Sequence, residues 1–402
     1  MDPTRQGTCH PVPFEIAVPE AELRTLRRRV AGTRFPRTGP TGWDLGPDDA
    51  SMRGLAAYWG GDFDWRAQER RLNGFAQFRV RIGGDLMHFV HVRSPHSRGR
   101  AVVLLHGWPY SFASLLGLVG PLVRPGEYEG SVGDAVDVVV PSLPGFAFSD
   151  VGSPVGPRAT ADRVDALMTQ VLGYGTYRAH GGAWGAVTAG WLGHEHRRCV
   201  AIGITGAPIR NTGLHKGVVD PGTGFAPPED RAGNIAAQET AQLQLAYYQQ
   251  QSYRPTPVGY LADSPVGAAA WIVDKYYLWS DRRTRAFEEI FTRDQLLTEI
   301  MLYVATGAFD TSLWMYKGGY DENGSTLPLG GRITVPTGFA GFPDPLQPPP
   351  TRADLEKVYD VVQYATYTYG GHFPFYENPA GLLDGVRGFL RATDTVAVAA
   401  RS

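Results

Sequence analysis

Residues 20–30 set Leu23, Leu26 and Val30 three to four apart, the spacing that gives a helix one apolar face. A second helix is expected over residues 48–59. From residue 75 the period changes. Residues 75–82 and 86–92 alternate apolar and polar around Gly83-Gly84, the pattern of a β-hairpin with its glycines at the turn. Residues 101–105 are apolar without a break, as a strand covered on both faces must be. Residues 136–140, 177–179 and 200–204 repeat that run, with helical stretches between them. Buried strands alternating with helices predict an α/β fold, a mostly parallel central sheet with helices on both faces. Residues 209–325 break the rhythm and are helix-like and aromatic, with Tyr247, Tyr248, Trp271, Tyr276, Tyr277, Trp279 and Trp314. Such an insertion predicts a helical cap over the carboxyl edge of the sheet, where open α/β sheets bind ligands. Strands resume over 332–338 and 361–367, and a last helix over 379–390. The expected organisation is an N-terminal segment (1–74), a first core part (75–208), the cap (209–325) and a second core part (326–402).

Charge and composition narrow the partners. A formal net charge of −2 over 402 residues makes no electrostatic case for nucleic acid or an anionic membrane surface. The apolar runs fall well short of the ~20 residues of a membrane span, and residues 1–6 carry no apolar signal-peptide core. Two cysteines, Cys9 and Cys199, imply no disulfide framework, so a cytoplasmic setting is the natural expectation. Of 38 basic residues only Lys216, Lys275, Lys317 and Lys357 are lysines, a bias that suggests a GC-rich, bacterial genome. No metal and no cofactor is expected. The expected partner is a small molecule; monomer and homodimer both stay open.

The most informative stretch is His180-Gly181-Gly182-Ala183-Trp184-Gly185, after a predicted strand and before a helix over 187–195. Gly181 and Gly185 flank position 183 at −2 and +2, the G-x-Nu-x-G spacing of a nucleophile elbow. The turn is so sharp that side chains at the flanking positions would collide. Alone, the spacing leaves a plain glycine-rich turn equally open. His106-Gly107-Trp108-Pro109 follows a buried strand directly, where an α/β-hydrolase supplies backbone N–H groups to an oxyanion hole. Gly371-His372-Phe373 follows the last strand, where the general base of such a fold belongs.

With these motifs in order, the chain resembles the epoxide hydrolases, in particular the microsomal-like branch with an extra N-terminal segment. The shared motifs are His106-Gly-Trp-Pro109, Pro141-Ser-Leu-Pro-Gly-Phe146, Gly181-Gly-Ala-Trp-Gly185, Asp263-Ser-Pro-Val-Gly267, Val335-Pro-Thr-Gly-Phe339 and Gly370-Gly-His-Phe373. The resemblance implies that position 183 is the nucleophile position, an aspartate in such enzymes, which attacks an epoxide carbon to form an alkyl-enzyme ester. It implies His372 as the base that activates water against that ester, oriented by a carboxylate. It implies Tyr316 and, less firmly placed by its spacing to Gln251, Tyr247 as cap tyrosines that protonate the epoxide oxygen. Trp108 and Trp184 would give the oxyanion hole, and Trp108, Trp184, Phe146, Trp314 and Phe373 would line a pocket for a bulky apolar or polycyclic epoxide. An acid is needed because an alkoxide is a poor leaving group, and a phenol stays protonated at neutral pH.

Three positions depart from that pattern. Ala183 has no nucleophilic atom, and losing a nucleophile costs on the order of 10⁶ in rate in a well-studied hydrolase, about 8 kcal/mol. The family's orienting acid would fall on Pro345, leaving Asp344 one residue early. Trp314 and Gly318 stand where Arg and Glu are expected around the second tyrosine. Three functions follow as alternatives: an epoxide hydrolase inactivated at its nucleophile; an enzyme that opens epoxides, closes rings or eliminates without a covalent step, using His372 and the tyrosines; and a small-molecule binding protein on a hydrolase fold.

Overall fold

The computed structural model describes residues 10–37, 42–207, 209 and 246–399. Cys9 and the stretch 210–245 of the expected cap insertion lie outside the described residues. Among the described residues nine strands occur in chain order: β1 (Val12–Phe14), β2 (Gln77–Ile82), β3 (Asp85–Val92), β4 (Ala101–Leu105), β5 (Asp137–Pro141), β6 (Tyr177–Gly181), β7 (Cys199–Ile204), β8 (Ile333–Gly341) and β9 (Tyr359–Thr366). They form one sheet in the order β1-β2-β3-β5-β4-β6-β7-β8-β9. The pairings are antiparallel up to β3·β5 and parallel from there on. The fold is that of an α/β-hydrolase.

The uninterrupted apolar runs became the sheet's centre: β4, β5 and β6 are buried along their whole length. Gly83 and Gly84 turn the β2–β3 hairpin with φ of 62° and 93°, backbone that side chains resist. Two elements ahead of β2 were not anticipated. β1 is three residues long and exists through its pairing with β2, Val12 opposite Arg79; so short a run has no readable period. The helix Trp65–Leu72 has one apolar edge, Trp65 and Leu72, and is started by Asp64, whose carboxylate accepts the Ala67 N–H at 3.0 Å. Cys199 is a buried free thiol. Among the described residues no helix is long and apolar enough to cross a membrane.

Register positions the chemistry. Leu105 lies beside Gly181, Gly181 beside Ile204, Ile204 beside Phe339 and Phe339 beside Tyr364. The parallel strands therefore end along one edge, and the loops that follow β4, β6, β8 and β9 meet there. Above that edge lie the helices Pro265–Trp279, Arg293–Val304 and Trp314–Asp321. The first is started by Ser264, whose hydroxyl accepts the Gly267 N–H at 3.1 Å, and the second by a reciprocal Thr292–Gln295 capping box. The N-terminal segment braces these helices from outside: the Trp43 ring lies flat on Tyr277 at 3.8 Å, and the Tyr58 hydroxyl donates to Asp294 at 2.8 Å.

The departure at Gly318 has a packing cause. A Cβ there would stand 2.3 Å from the Gly156 nitrogen and 2.4 Å from the Val155 carbonyl carbon, so the helix Trp314–Asp321 meets the core backbone to backbone. One turn later Glu322 accepts the N–H groups of Arg158 at 2.6 Å and Ala159 at 3.3 Å at the start of the helix Pro157–Ala166. Gly318→Ala is expected to lower the unfolding free energy by about 1–3 kcal/mol through this collision, read as a drop in melting temperature. An unchanged melting temperature would mean that the two segments are not in contact.

Candidate active site

β6 passes into the helix Trp184–Glu195 within two residues, Gly182 and Ala183. Ala183 takes φ 47° and ψ −126°, a conformation alanine rarely adopts. The flanking glycines permit it: a Cβ on Gly181 would stand 2.4 Å from the Gly185 carbonyl group, and one on Gly185 would stand 2.1 Å from the Leu105 oxygen. Ala183 itself is only partly buried. The Trp184 N–H opens the helix, where no carbonyl of the preceding turn can claim it.

His106 keeps the neighbouring loops together. Its Nδ1 faces the Gly107 carbonyl at 3.0 Å, and its Nε2 accepts the Leu143 N–H at 3.0 Å. Burial lowers its pKa to about 4, so the ring is neutral and acts as a strut between the loops after β4 and β5.

After β8 the chain folds tightly, with the Asp344 N–H donating to the Phe342 carbonyl at 2.7 Å. One oxygen of the Asp344 carboxylate accepts the Leu346 N–H at 2.7 Å, a local turn that fixes the side chain. The other lies 2.7 Å from Nδ1 of His372. Both side chains are largely buried. That bond leaves Nε2 as the free nitrogen of His372.

Tyr247 and Tyr316 are buried and hydrogen-bonded to each other, and Tyr316 also receives a hydrogen bond from the Trp184 side chain. Burial holds both phenols far above the ordinary tyrosine range, so both are protonated at neutral pH. Ring contacts close a circuit around the chamber. His372 meets Trp279 at 5.1 Å, Trp279 meets Tyr247 at 4.9 Å, Tyr247 meets Tyr316 at 5.8 Å, and Tyr316 meets Trp184 at 4.9 Å. The residue before Trp184 is Ala183. A Cβ on Gly107 would touch both the Ala183 methyl (2.5 Å) and the Tyr110 hydroxyl (3.2 Å), and the Tyr110 ring lies 6.4 Å from that of His372. Ala183, His372, Tyr247 and Tyr316 thus belong to one connected ring of contacts.

Residues 11–115 match the family described as "Epoxide hydrolase N terminus". A Stigmatella aurantiaca protein named for the epoxide hydrolases is 36% identical over 371 residues, 92% of this chain and 82% of its own length. The chain belongs to the epoxide hydrolase family. Epoxide hydrolase 1 of Sus scrofa is 28% identical, covering 94% of this chain and 88% of its own. The solved structure of an Aspergillus niger epoxide hydrolase superposes with a TM-score of 0.78 at 27% identity, over 95% of this chain and 96% of that one.

Within this family member the expected pocket residues divide. Trp108 belongs to the circuit, stacked 5.7 Å from Tyr247 and edge-on to Tyr316 at 5.8 Å. Phe373 backs His372 and stacks on Tyr276 at 4.2 Å. Phe146 is fully buried against His106 and Tyr303, away from the tyrosine pair, and Trp314 is partly buried. Tyr110, and Trp279, which the sequence marks only as one of the cap aromatics, complete the circuit; among 19 tyrosines and nine tryptophans nothing gives either a site role. Among the described residues, the buried indole N–H groups of Trp108 and Trp279 have no hydrogen-bond partner, leaving two donors beside the tyrosines.

Glu299 was also passed over. It is fully buried behind Tyr110 and accepts the Tyr376 hydroxyl at 3.0 Å. Burial raises its carboxyl to about 7. A carboxyl held above its unfolded value favours the folded state while protonated. That contribution is complete below the unfolded pKa near 4.5 and is lost as the pH rises through about 7. Glu299→Gln, which mimics the protonated form, is expected to be near neutral at pH 5 and to stabilise at pH 8.5 by up to about 3 kcal/mol. Thermal melts at the two pH values check this, and equal shifts at both would discount the buried carboxyl.

Proposed function

We propose that this family member opens a bulky, apolar epoxide by adding water directly, without an alkyl-enzyme ester. The observation that carries the proposal is the 2.7 Å His372–Asp344 contact, joined through the Trp279 ring to the Tyr247–Tyr316 pair, although residue 183 offers no nucleophile. The free Nε2 of His372 takes a proton from water while the water oxygen attacks one epoxide carbon. The carbon–oxygen bond on that carbon breaks, and Tyr316 or Tyr247 gives the epoxide oxygen its proton. The proton on the imidazolium then returns to the phenolate through solvent, so that epoxide and water become a diol. Asp344 steadies the imidazolium. Each positioned proton transfer contributes typically about 10²–10⁴ in rate. Without an ester there is no tetrahedral oxyanion, and the N–H groups of Trp108 and Trp184 remain to hold the water. The aromatic circuit supports an apolar substrate, and the unpartnered indole N–H groups support one that carries a hydrogen-bond acceptor besides the epoxide.

A second reading, a hydrolase inactivated at one position, is favoured by the family membership together with the retained His372–Asp344 pair. Single-turnover assays of aryl and alkyl epoxides in ¹⁸O-water separate the two. Direct addition puts the label into the first diol formed by the native chain, and His372→Gln and Tyr316→Phe each lower turnover by about 10²–10⁴. Diol formation by Ala183→Asp alone would replace the proposal with the second reading. Tight binding with no turnover by either form would make the protein a small-molecule binder.

A further inference from the structure

The loop that carries His372 is not hung from the sheet. Gly370 donates its N–H to Asp281 Oδ2 at 3.2 Å. His372 donates its N–H to the Trp279 carbonyl at 2.9 Å. Phe373 donates to Glu377 Oε1 at 2.9 Å, and the Gly371 amide also faces the Glu377 carboxylate. The second oxygen of Glu377 accepts the Asp281 N–H at 2.6 Å. Four successive amides thus end on Glu377 and on residues 279–281, where the helix Pro265–Trp279 ends. That helix end also carries the Trp279 ring against both Tyr247 and His372. The fit is close: a Cβ on Gly371 would stand 2.6 Å from the Trp279 oxygen and 2.7 Å from the Asp281 nitrogen. Arg283 braces Asp281 with contacts of 2.7 and 2.8 Å, and Arg285 donates to the Glu377 carbonyl at 3.0 Å.

We propose that Glu377 is a positioning residue, whose carboxylate fastens the His372 loop to the foot of the cap so that the imidazole and the cap tyrosines keep one spacing. The inference rests on His372 acting as the base. Glu377 is 2% exposed, lies five residues from His372 and touches neither the imidazole nor the tyrosines in any contact described above. Its chemistry suits the task. Three backbone N–H groups converge on one carboxyl, an arrangement that an anion satisfies and an amide cannot, because the amide's NH₂ turns a donor toward a donor. Burial pushes this carboxyl up to about 7 while the three N–H groups pull it down.

The test compares Glu377→Gln with Arg163→Ala, which removes a remote ion pair to Asp85 and serves as a control for lost stability. Two readouts are followed, each in the native chain and with Ala183→Asp added. One is the downfield proton resonance of the His372 Nδ1–H held by Asp344. The other is the split between kcat and KM for an aryl epoxide. Glu377→Gln is expected to shift or broaden the resonance and to lower kcat about 10–100-fold with KM within about threefold, as a misplacement of roughly 1 Å does. Arg163→Ala is expected to change neither. Should Glu377→Gln not fold, Asp281→Asn, which loosens the Gly370 contact and the brace to Arg283 but leaves the Glu377 contacts in place, is expected to give the same signature at smaller size. An unchanged resonance and kcat in the Glu377 variant, or the same changes in Arg163→Ala, would overturn the proposal. If neither form at position 183 turns over an epoxide, the functional reading fails by itself, and the proton resonance alone decides whether Glu377 positions the imidazole.

Discussion

The bend at Ala183 is the constraint on which the chamber depends. Its φ of 47° and ψ of −126° turn the chain from strand to helix, a conformation that costs on the order of 1–3 kcal/mol for a residue with a side chain. It persists because the surroundings leave no alternative. Gly181 and Gly185 are pressed together, and Gly185 lies against the Leu105 carbonyl at the end of β4. The Ala186 and Val187 N–H groups already bond back to the Ala183 carbonyl. None of these contacts involves the side chain of residue 183. The bend therefore survives the loss of a nucleophile and is by itself no sign that one is used. What it does fix is the place of the Trp184 N–H and of the Trp184 ring, which meets Tyr316 edge-on.

The groups opposite the bend, Asp344, His372, Tyr247 and Tyr316, are the ones whose burial calls for an explanation. A scaffold that only bound an apolar molecule would need no carboxylate buried at 2.7 Å from an imidazole, nor two buried phenols hydrogen-bonded to each other. Burying such groups has a free-energy cost that apolar side chains of the same size would avoid. Their joint presence is more easily understood as proton-transfer machinery than as packing.

Much of this was legible in the chain. The unbroken apolar strands, the glycine spacing about 183 and the order of the loops after β4, β6 and β9 all follow from local rules of period and turn chemistry. Gly318 was legible only as a departure, because its cause is a segment 162 positions away in sequence, the backbone at Gly156. Asp344 was legible only as a displaced acid; the tight turn from Phe342 to Leu346 that carries it to His372 depends on backbone geometry that no side-chain pattern records. Glu377 left one trace that pattern reasoning did not use. It is a lone carboxyl after the aromatic run Phe373-Pro-Phe-Tyr376, where a charge can be buried only if donors converge on it.

A covalent route and a direct one ask different things of the scaffold. In the covalent route the ester carbonyl is tethered to the elbow, and the base needs only to deliver water to a bond whose place is already set. In direct addition nothing tethers the substrate. The distance from the imidazole on the core to the phenols on the cap then becomes the quantity that sets the rate, and effective molarity falls quickly when that distance drifts. The elements that hold it are the amides of residues 370–373 bound to Trp279, Asp281 and Glu377, together with the backbone contact of Gly318 with Gly156 on the other side of the cap. One fastening secures the cap near the base and the other near Tyr316. On the direct route these two contacts take over the role that a covalent bond at position 183 would otherwise fill.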